Sequence, residues 1–404
     1  MSQITVKINK DLMKEDKKIS IAIMSSFAVL IVQYLILIFF NLTNTPMGGN
    51  IQLASKAAVG IIYLLALPVV LKRHKIQFIG IYFISIFIFA LNILFFNENW
   101  PYLKDIIFPF FFSCLPSLIY SYSINDWNIL KDVMRKTSLV VFLVGSIIGV
   151  LVFTIKASIG AYSMALSYYM LLPSIVYLDE FLEKFTLKSI FISTVSLFVI
   201  LALGSRGAVL CIGVFMILKL IIMGRKLNYK TILLYLLIII ILLTLCFFLD
   251  TILEGLYNIL LRFGIQSRSI LLFLRDDVYL SGREHFYKGA LEEIAANPIF
   301  GIGLAGDRRI LGGYVHNILL EMLASFGVIL GSILFAVIIL ICFKGLLSKN
   351  KNISSFIAIW FSLGFVPLTV SGSYVTAINF WILLGFALKS LFGKKKTTDS
   401  LSKP

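Results

Sequence analysis

The sequence predicts an all-α integral membrane protein with about 12 transmembrane helices and one long extracytoplasmic loop containing amphipathic helices. Hydrophobic residues make up 59% of its 404 residues and charged residues only 14%, which is more apolar side chain than a soluble core needs. Apolar runs of about 20 residues, the length that crosses a bilayer core as a helix, recur along the whole chain. Basic loops between these runs give a consistent topology.

The predicted spans are the apolar runs between polar connections. They are Ile19–Phe40, Ile51–Leu71, Ile76–Phe96, Ile106–Ser123, Ser138–Ile155, Met164–Leu178, Ser189–Gly204, Gly207–Met223, Thr231–Leu249, Asn317–Phe343, Ser354–Ser371 and Val375–Phe392. The first span follows a polar, lysine-containing stretch and is followed by eleven more, which favours a retained helix over a cleaved signal peptide.

Basic residues divide the connections into two sets. One set contains the N-terminal tail, five basic connections and the C-terminal tail, and the positive-inside rule predicts that it is cytoplasmic. The other set is short and nearly free of lysine, apart from the polar segment Asp250–Tyr314. This alternation predicts an even number of spans with both termini in the cytoplasm.

The topology divides the chain into four parts: transmembrane helices 1 to 9 in 1–249, a long extracytoplasmic loop in 250–316, helices 10 to 12 in 317–393, and a basic cytoplasmic tail in 394–404. Within the loop, residues 252–263 and 286–294 have apolar side chains at helical spacing. The second stretch begins after Ser281-Gly282 and stops at Asn297-Pro298, which are start and stop signals of a helix. Both helices are predicted to lie over the membrane face.

Composition also excludes several classes of function. The four cysteines fall inside apolar runs without CxxC spacing, which is typical of small buried side chains and not of a disulfide framework or metal site. The net charge of +16 would indicate nucleic acid in a soluble protein. In a membrane protein it marks the cytoplasmic face, so no nucleic-acid partner is predicted.

The two basic residue types are distributed differently. By this topology 22 of 26 lysines are cytoplasmic, whereas seven of ten arginines are outside. A guanidinium offers a planar fork of donors for phosphate oxygens, so this bias indicates a phosphate site. The alternative is that these arginines pair with acidic residues of the same loop. The seven are Arg206, Arg262, Arg268, Arg275, Arg283, Arg308 and Arg309.

His316 is the sharpest catalytic candidate among the three histidines. It lies where the chain re-enters an apolar run, at the N-terminus of a predicted transmembrane helix. The positive end of a helix lowers the pKa of a histidine and leaves a neutral imidazole that can accept a proton. The alternative is an interfacial histidine that only caps the helix.

Several other residues are candidates for binding or support. Arg206, in Gly204-Ser205-Arg206-Gly207, is either an anion clamp at headgroup depth or a snorkelling side chain at a tight turn. Arg283 opens the second amphipathic helix, and Arg308-Arg309 lie between glycine-rich turns that can present amides to an anion. Glu321 is an intramembrane carboxylate, which is a functional candidate by default. No metal-ligand cluster is found outside.

These motifs resemble the Wzy-type O-antigen polymerase and O-antigen ligase (WaaL-like) family of bacterial envelope glycan enzymes. The resemblance is carried by SGREHFYKGALEEIAANPIFGIGL, HNILLEMLASFGVILG and the upstream GSRGA, embedded in twelve spans with one long outer loop. The motif match is confined to Gly204–Ala208 and Ser281–Gly331.

The resemblance implies a metal-independent glycosyltransferase without a cofactor, at the outer face of the bacterial plasma (inner) membrane, with an undecaprenyl-pyrophosphate-linked oligosaccharide as donor. By motif, Arg206 and Arg283 would hold the pyrophosphate and His316 would deprotonate the acceptor hydroxyl. The residues considered for support are Arg308, Arg309, Arg268, Glu321 and Asn317. A flippase and a chain-length regulator are the implied protein partners.

Three functions stay open at this stage. A capsule or O-antigen polymerase uses another lipid-linked repeat as acceptor, and we prefer it because the isoleucine- and lysine-rich composition suggests an AT-rich genome and a capsule-forming organism. An O-antigen ligase uses a lipid A core instead. A lipid-linked glycan flippase or other transporter would place charged or broken-helix sites near the bilayer midplane and often repeat its halves. The sequence shows neither clearly.

Overall fold

A computed structural model of the protein describes residues 3–43, 45–154, 164–203, 205–224, 249–262, 270 and 283–393. Every regular element within these ranges is a helix. The α-helices are α1 Gln3–Phe39, α2 Pro46–Phe95, α3 Trp100–Pro109, α4 Leu115–Ser123, α5 Trp127–Thr154, α6 Met164–Glu183, α7 Leu187–Leu203, α8 Arg206–Gly224, α9 Leu249–Arg262, α10 Glu284–Ala296, α11 Gly306–Leu311, α12 Ile318–Leu346, α13 Lys351–Trp360, α14 Val366–Val370 and α15 Ile378–Phe392. A 3-10 turn, Asn97–Asn99, and two π-helices, Phe110–Cys114 and Phe361–Phe365, join neighbouring helices.

Seven helices in these ranges are long and apolar enough to cross a membrane, and α7 and α15 are shorter apolar helices. This confirms an α-helical, multi-pass membrane protein. The number of twelve spans stays a prediction. The ninth predicted span, Thr231–Leu249, lies outside the described residues except for its last residue, and so does the basic tail 394–404.

The 50-residue helix α2 contains two of the predicted spans. At 1.5 Å per residue a straight helix of this size would be about 75 Å long, more than twice the thickness of a bilayer core. It is broken at His74, whose backbone is non-helical with φ −143° and ψ 42°. The break coincides with the predicted connection at 72–75. Beside it, Arg73 donates to Asp16 of α1 at 2.6 Å and to the Ser123 carbonyl of α4 at 2.9 Å.

A second buried ion cluster joins the C-terminal halves of α6 and α8 to the starts of α5 and α13. The Lys219 ammonium donates to Asp179 at 2.5 Å and to the Ser355 hydroxyl at 2.6 Å. Lys131 donates to Asp179 at 3.1 Å and to Glu183 at 2.8 Å. All these residues lie at the helix ends that the topology assigns to the cytoplasm. This cluster therefore forms a polar layer at one set of helix ends. The residues of the candidate active site, described below, lie at the opposite ends of the helices.

Candidate active site

The segment that leads to His316 is docked on an interrupted membrane helix. Gly327 breaks α12 with φ 78° and ψ 171°, which leaves carbonyls of the preceding turn without their helical donors. Ile302 N donates to Ala324 O at 2.7 Å and Gly303 N donates to Ser325 O at 3.2 Å. After the break, Val328 N donates to Pro298 O at 2.7 Å. The loop and the helix are thus joined through their backbones.

Two buried asparagines hold the other side of the same loop. Asn92, in α2, accepts from Leu304 N at 2.7 Å and donates to Leu304 O at 3.3 Å. Asn99 donates to the carbonyls of Ile302 and Leu304 at 2.8 and 3.1 Å. The amides of Ile302, Gly303 and Leu304 are therefore already bonded to protein acceptors. In this turn the glycines serve close packing of the backbone, because a Cβ on Gly301 would lie 2.4 Å from Ala324 O.

His316 lies just before α12 with a left-handed backbone, φ 63°. The helix begins at Ile318, and Asn317 is its N-cap, accepting from Leu320 N at 3.2 Å. The half-buried imidazole contacts the rings of Tyr314 and Phe286, at centroid distances of 4.1 and 5.5 Å. Its Nδ1 is buried without a hydrogen-bond partner in the protein. Asn317 therefore caps the helix, and the imidazole of His316 is not needed as a cap.

Electrostatics keep this imidazole neutral. Burial lowers the pKa of His316, and the positive charge of Arg283 lowers it further. The sequence also predicts a lowered pKa for His316. That prediction attributes the shift to the positive end of the helix, whereas in the structure burial and Arg283 cause it. A neutral imidazole at physiological pH can accept a proton.

We expect the acid limb of the pH profile of kcat/KM to lie below about 6.5, the ordinary pKa of histidine, because kcat/KM reports the free enzyme. In Arg283→Gln the cation is removed, so the pKa of His316 and the acid limb both move to higher pH. Arg283→Lys is the matched control, which keeps the charge and leaves the limb in place. The measurement is the initial rate of glycan transfer at low donor concentration from pH 5 to 8. An acid limb at the same pH in Arg283→Gln as in wild type would contradict the assignment.

Arg206 and Arg283 both occupy the beginning of a helix. Arg206 is the first residue of α8, and Arg283 is the N-cap of α10 without a side-chain cap. A helix N-terminus carries partial positive charge and disfavours a cation, which stabilises a C-terminus instead. A bound anion would compensate the repulsion between the guanidinium and the helix N-terminus at both helices, because the N-terminal amides and the guanidinium would both bind it.

The short helix α14 connects the neighbourhoods of Arg206 and His316. A Cβ on Gly207, next to Arg206, would lie 3.1 Å from Val370 Cγ2. One residue earlier, the carbonyl of Thr369 accepts from Asn317 Nδ2 at 3.2 Å. The structure therefore brings the regions of Arg206, Arg283 and His316 to one end of the helices, although more than 100 residues separate Arg206 from His316 along the chain.

The supporting arginines contact protein acceptors. Arg308 donates to Asp307 and to Ser373, and lies 3.5 Å from Glu321. Arg309 donates from Nε to Asn99 at 2.9 Å and forms an ion pair with Glu98 at 3.0 Å. Both arginines thus contact carboxylates, but only Asp307 belongs to the same loop, as the sequence-based alternative requires; Glu98 and Glu321 lie in other parts of the chain. Arg268 lies outside the described residues.

Comparison with known protein families identifies part of the chain. Residues 191–335 match the Wzy_C family model, whose description is O-antigen ligase. This part of the chain is therefore similar to the Wzy_C family. The match confirms the resemblance seen in the motifs and includes Arg206, Arg283, His316 and Glu321. It covers less than half of the 404 residues. No curated protein matches the chain.

The Wzy_C match supports a membrane enzyme of glycan polymerisation or ligation. Within the described part of the chain, no group of three or more His, Cys, Asp or Glu side chains could hold a metal ion.

Three residues of the site were not predicted from the sequence. Asp307, Ser373 and Tyr314 contact Arg308, and Ser373 also contacts Glu321. A signal was present for Asp307, since a carboxylate beside two arginines before the re-entry into the membrane is an ion-pair candidate.

Proposed function

We propose that the protein is a polysaccharide polymerase of the O-antigen or capsule type. It transfers a glycan from undecaprenyl pyrophosphate to a sugar hydroxyl of another lipid-linked repeat, at the outer face of the bacterial plasma membrane. The observation that carries this proposal is the neutral, half-buried imidazole of His316 at the same helix ends as Arg206 and Arg283. Both termini lie in the cytoplasm, and a flippase and a chain-length regulator are its protein partners.

In the proposed reaction the acceptor hydroxyl oxygen attacks the anomeric carbon of the donor sugar. The bond between that carbon and the pyrophosphate oxygen breaks, and its electron pair stays on the pyrophosphate. The hydroxyl proton moves to His316, which later releases it to water. Arg206 and Arg283 stabilise the charge that develops on the leaving group. An activated pyrophosphate leaves without protonation, so a second acid is not required.

The ligase is the second candidate, favoured by the printed description of the matching family, O-antigen ligase. It differs in the acceptor, a lipid A core instead of a lipid-linked repeat. The third hypothesis, a flippase or other transporter, requires broken helices that expose an ion site at mid-membrane. The break in α12 offers none at Ala324 and Ser325, because their carbonyls accept from Ile302 and Gly303.

The test is product formation by the purified protein in detergent with a chelator. A ladder of lipid-linked repeats from the undecaprenyl-pyrophosphate oligosaccharide alone is the expected result for a polymerase. Product only after addition of lipid A core assigns the ligase. If intact donor remains with both acceptors, the enzyme proposal fails and transport of the lipid-linked glycan into proteoliposomes becomes the next measurement.

Arg206→Lys is expected to lower kcat/KM for the donor by about tenfold or more, because lysine keeps the charge but loses the bidentate fork, worth about 1.5–3 kcal/mol in charged hydrogen bonds. The matched control is Arg262→Lys, at the exposed end of α9. Both variants are compared with wild type by initial rates over a range of donor concentrations. Full activity of Arg206→Lys would reduce Arg206 to an anchor at the membrane interface.

A further inference from the structure

Two buried carboxylates share one guanidinium beside the proposed active site. Asp307 is 2% exposed and Glu321 is 1% exposed. Arg308 Nη1 lies 2.9 Å from Asp307 Oδ1 and 3.5 Å from Glu321 Oε1. The cluster joins α11 to α12.

The connection between α14 and α15 completes the cluster. The Ser373 hydroxyl donates to Glu321 Oε1, and it accepts from Arg308 Nη2 at 2.8 Å. The backbone N–H of Tyr374 donates to Glu321 Oε2 at 3.3 Å. The connection between α14 and α15, more than 50 residues away in sequence, therefore meets Arg308 and Glu321.

The charges of this cluster do not balance if both carboxylates are ionised. Two carboxylates and one guanidinium would carry a net charge of −1 in a place from which water is excluded, and such a buried excess charge is strongly unfavourable. One proton on the pair removes it, as in other sites where two carboxylates lie together. Burial raises the pKa of the Asp307 carboxyl against the opposing effect of Arg308.

The neighbouring ionisable groups leave this balance unchanged. Tyr314 and Tyr374 face the cluster, and burial raises the pKa of both phenols, so both are neutral at pH 7. The positive charge of Arg283 acts on Tyr314 and on His316.

The cluster reaches His316 through an aromatic ring. The guanidinium of Arg308 lies over the face of Tyr314, 5.7 Å from its centroid. The imidazole of His316 also contacts that ring, with a centroid distance of 4.1 Å. A fixed Arg308 therefore fixes Tyr314, and Tyr314 limits the positions open to the His316 ring.

We propose that Asp307 and Glu321 hold one proton between them and neutralise Arg308 together, forming a positioning element that orients His316 through Tyr314. The orientation of His316 matters only under the proposed function, on which this part of the inference rests. The shared proton does not depend on that function. Arg308 is then a positioning residue, held away from the pyrophosphate by its two carboxylates.

The first experiment detects the proton directly. Infrared spectra of the purified full-length protein at pH 7 are compared for wild type, Asp307→Asn and Glu321→Gln. The difference spectra should show that each single variant loses the same protonated carboxyl band, because the remaining carboxylate then pairs with Arg308 and ionises. Asp132→Asn, an exposed carboxylate of α5, is the control that loses no such band. Loss of the band in only one variant, or in neither, overturns the shared proton.

The second experiment tests positioning. Glu321→Ala should lower kcat by about 10²-fold with little change in the KM of the donor, because a displaced catalytic group costs rate and not binding. Glu321→Gln keeps the length and the acceptor for Ser373, and should recover about tenfold of that loss. Equal rates for wild type and Glu321→Ala overturn the positioning role. If the wild-type protein transfers no glycan to either acceptor, the proposed function fails. The infrared experiment still decides whether Asp307 and Glu321 share a proton.

Discussion

His316→Asn is expected to lower the rate of glycan transfer by about 10²–10⁴-fold, the usual contribution of a general base, while the protein remains folded. Asparagine is the informative replacement because it tolerates the left-handed backbone at this position, φ 63°, better than alanine. It also lacks a group that accepts a proton at neutral pH. The measurement is the initial rate of product formation under saturating donor, with size-exclusion profiles to verify folding.

The control for this variant is His285→Asn. His285 is exposed on α10 and is the direct neighbour of Phe286, which contacts His316. It should keep the wild-type rate. A normal rate for His316→Asn would remove this residue from the mechanism, and the base would have to be sought among the acidic residues of α10, which include Glu284, Glu292 and Glu293.

Gly327→Ala is expected to produce a large loss of stability, because it changes both the backbone conformation and the contacts at the break in α12. The backbone at Gly327, φ 78° and ψ 171°, is essentially confined to glycine, and another residue there costs about 1–3 kcal/mol. A Cβ would also lie 2.2 Å from Ile299 O and 2.8 Å from Pro298 O. Because both contacts are to backbone, the docked loop must move away and the bond from Val328 N to Pro298 O must break.

The measurement is the apparent Tm by fluorescence-detected size-exclusion chromatography in detergent. Gly80→Ala is the matched control, since Gly80 lies inside α2 and nothing would lie within 4 Å of its Cβ. Alanine is favoured over glycine in a helix by about 1 kcal/mol, so this control should be neutral or slightly stabilised. The same Tm for both variants would show that the break in α12 does not hold the loop.

The local features of the fold could be predicted from the sequence. Apolar periodicity and turn residues place α10 within one or two residues of its limits, Glu284–Ala296. The basic connection at 72–75 marks the break in α2 at His74. Both depend on interactions between near neighbours in the chain, for which residue type and spacing are sufficient.

The geometry of the candidate site depends on distant contacts and could be predicted only in part. Asn92 binds Leu304 across 212 residues, and no local pattern reports such a pair. The sequence did not determine whether Arg308 binds a phosphate or a carboxylate, because the answer depends on where Glu321 and Ser373 lie after the helices pack. The glycines of 301–306 resembled an anion-binding turn, since the same freedom of backbone serves ligand approach and close packing.

The docking of the loop on α12 through backbone atoms separates two tasks that a glycan enzyme must combine. Main-chain bonds at residues 298–303 hold the loop on α12 and require particular glycines, whereas the side chains of Asn92 and Asn99 hold its other side. Under the proposed function, side chains that face the sugar can therefore vary without displacing His316 from the lipid-linked pyrophosphate. If that function holds, specificity for different sugars can evolve while the position of His316 on α12 stays constant.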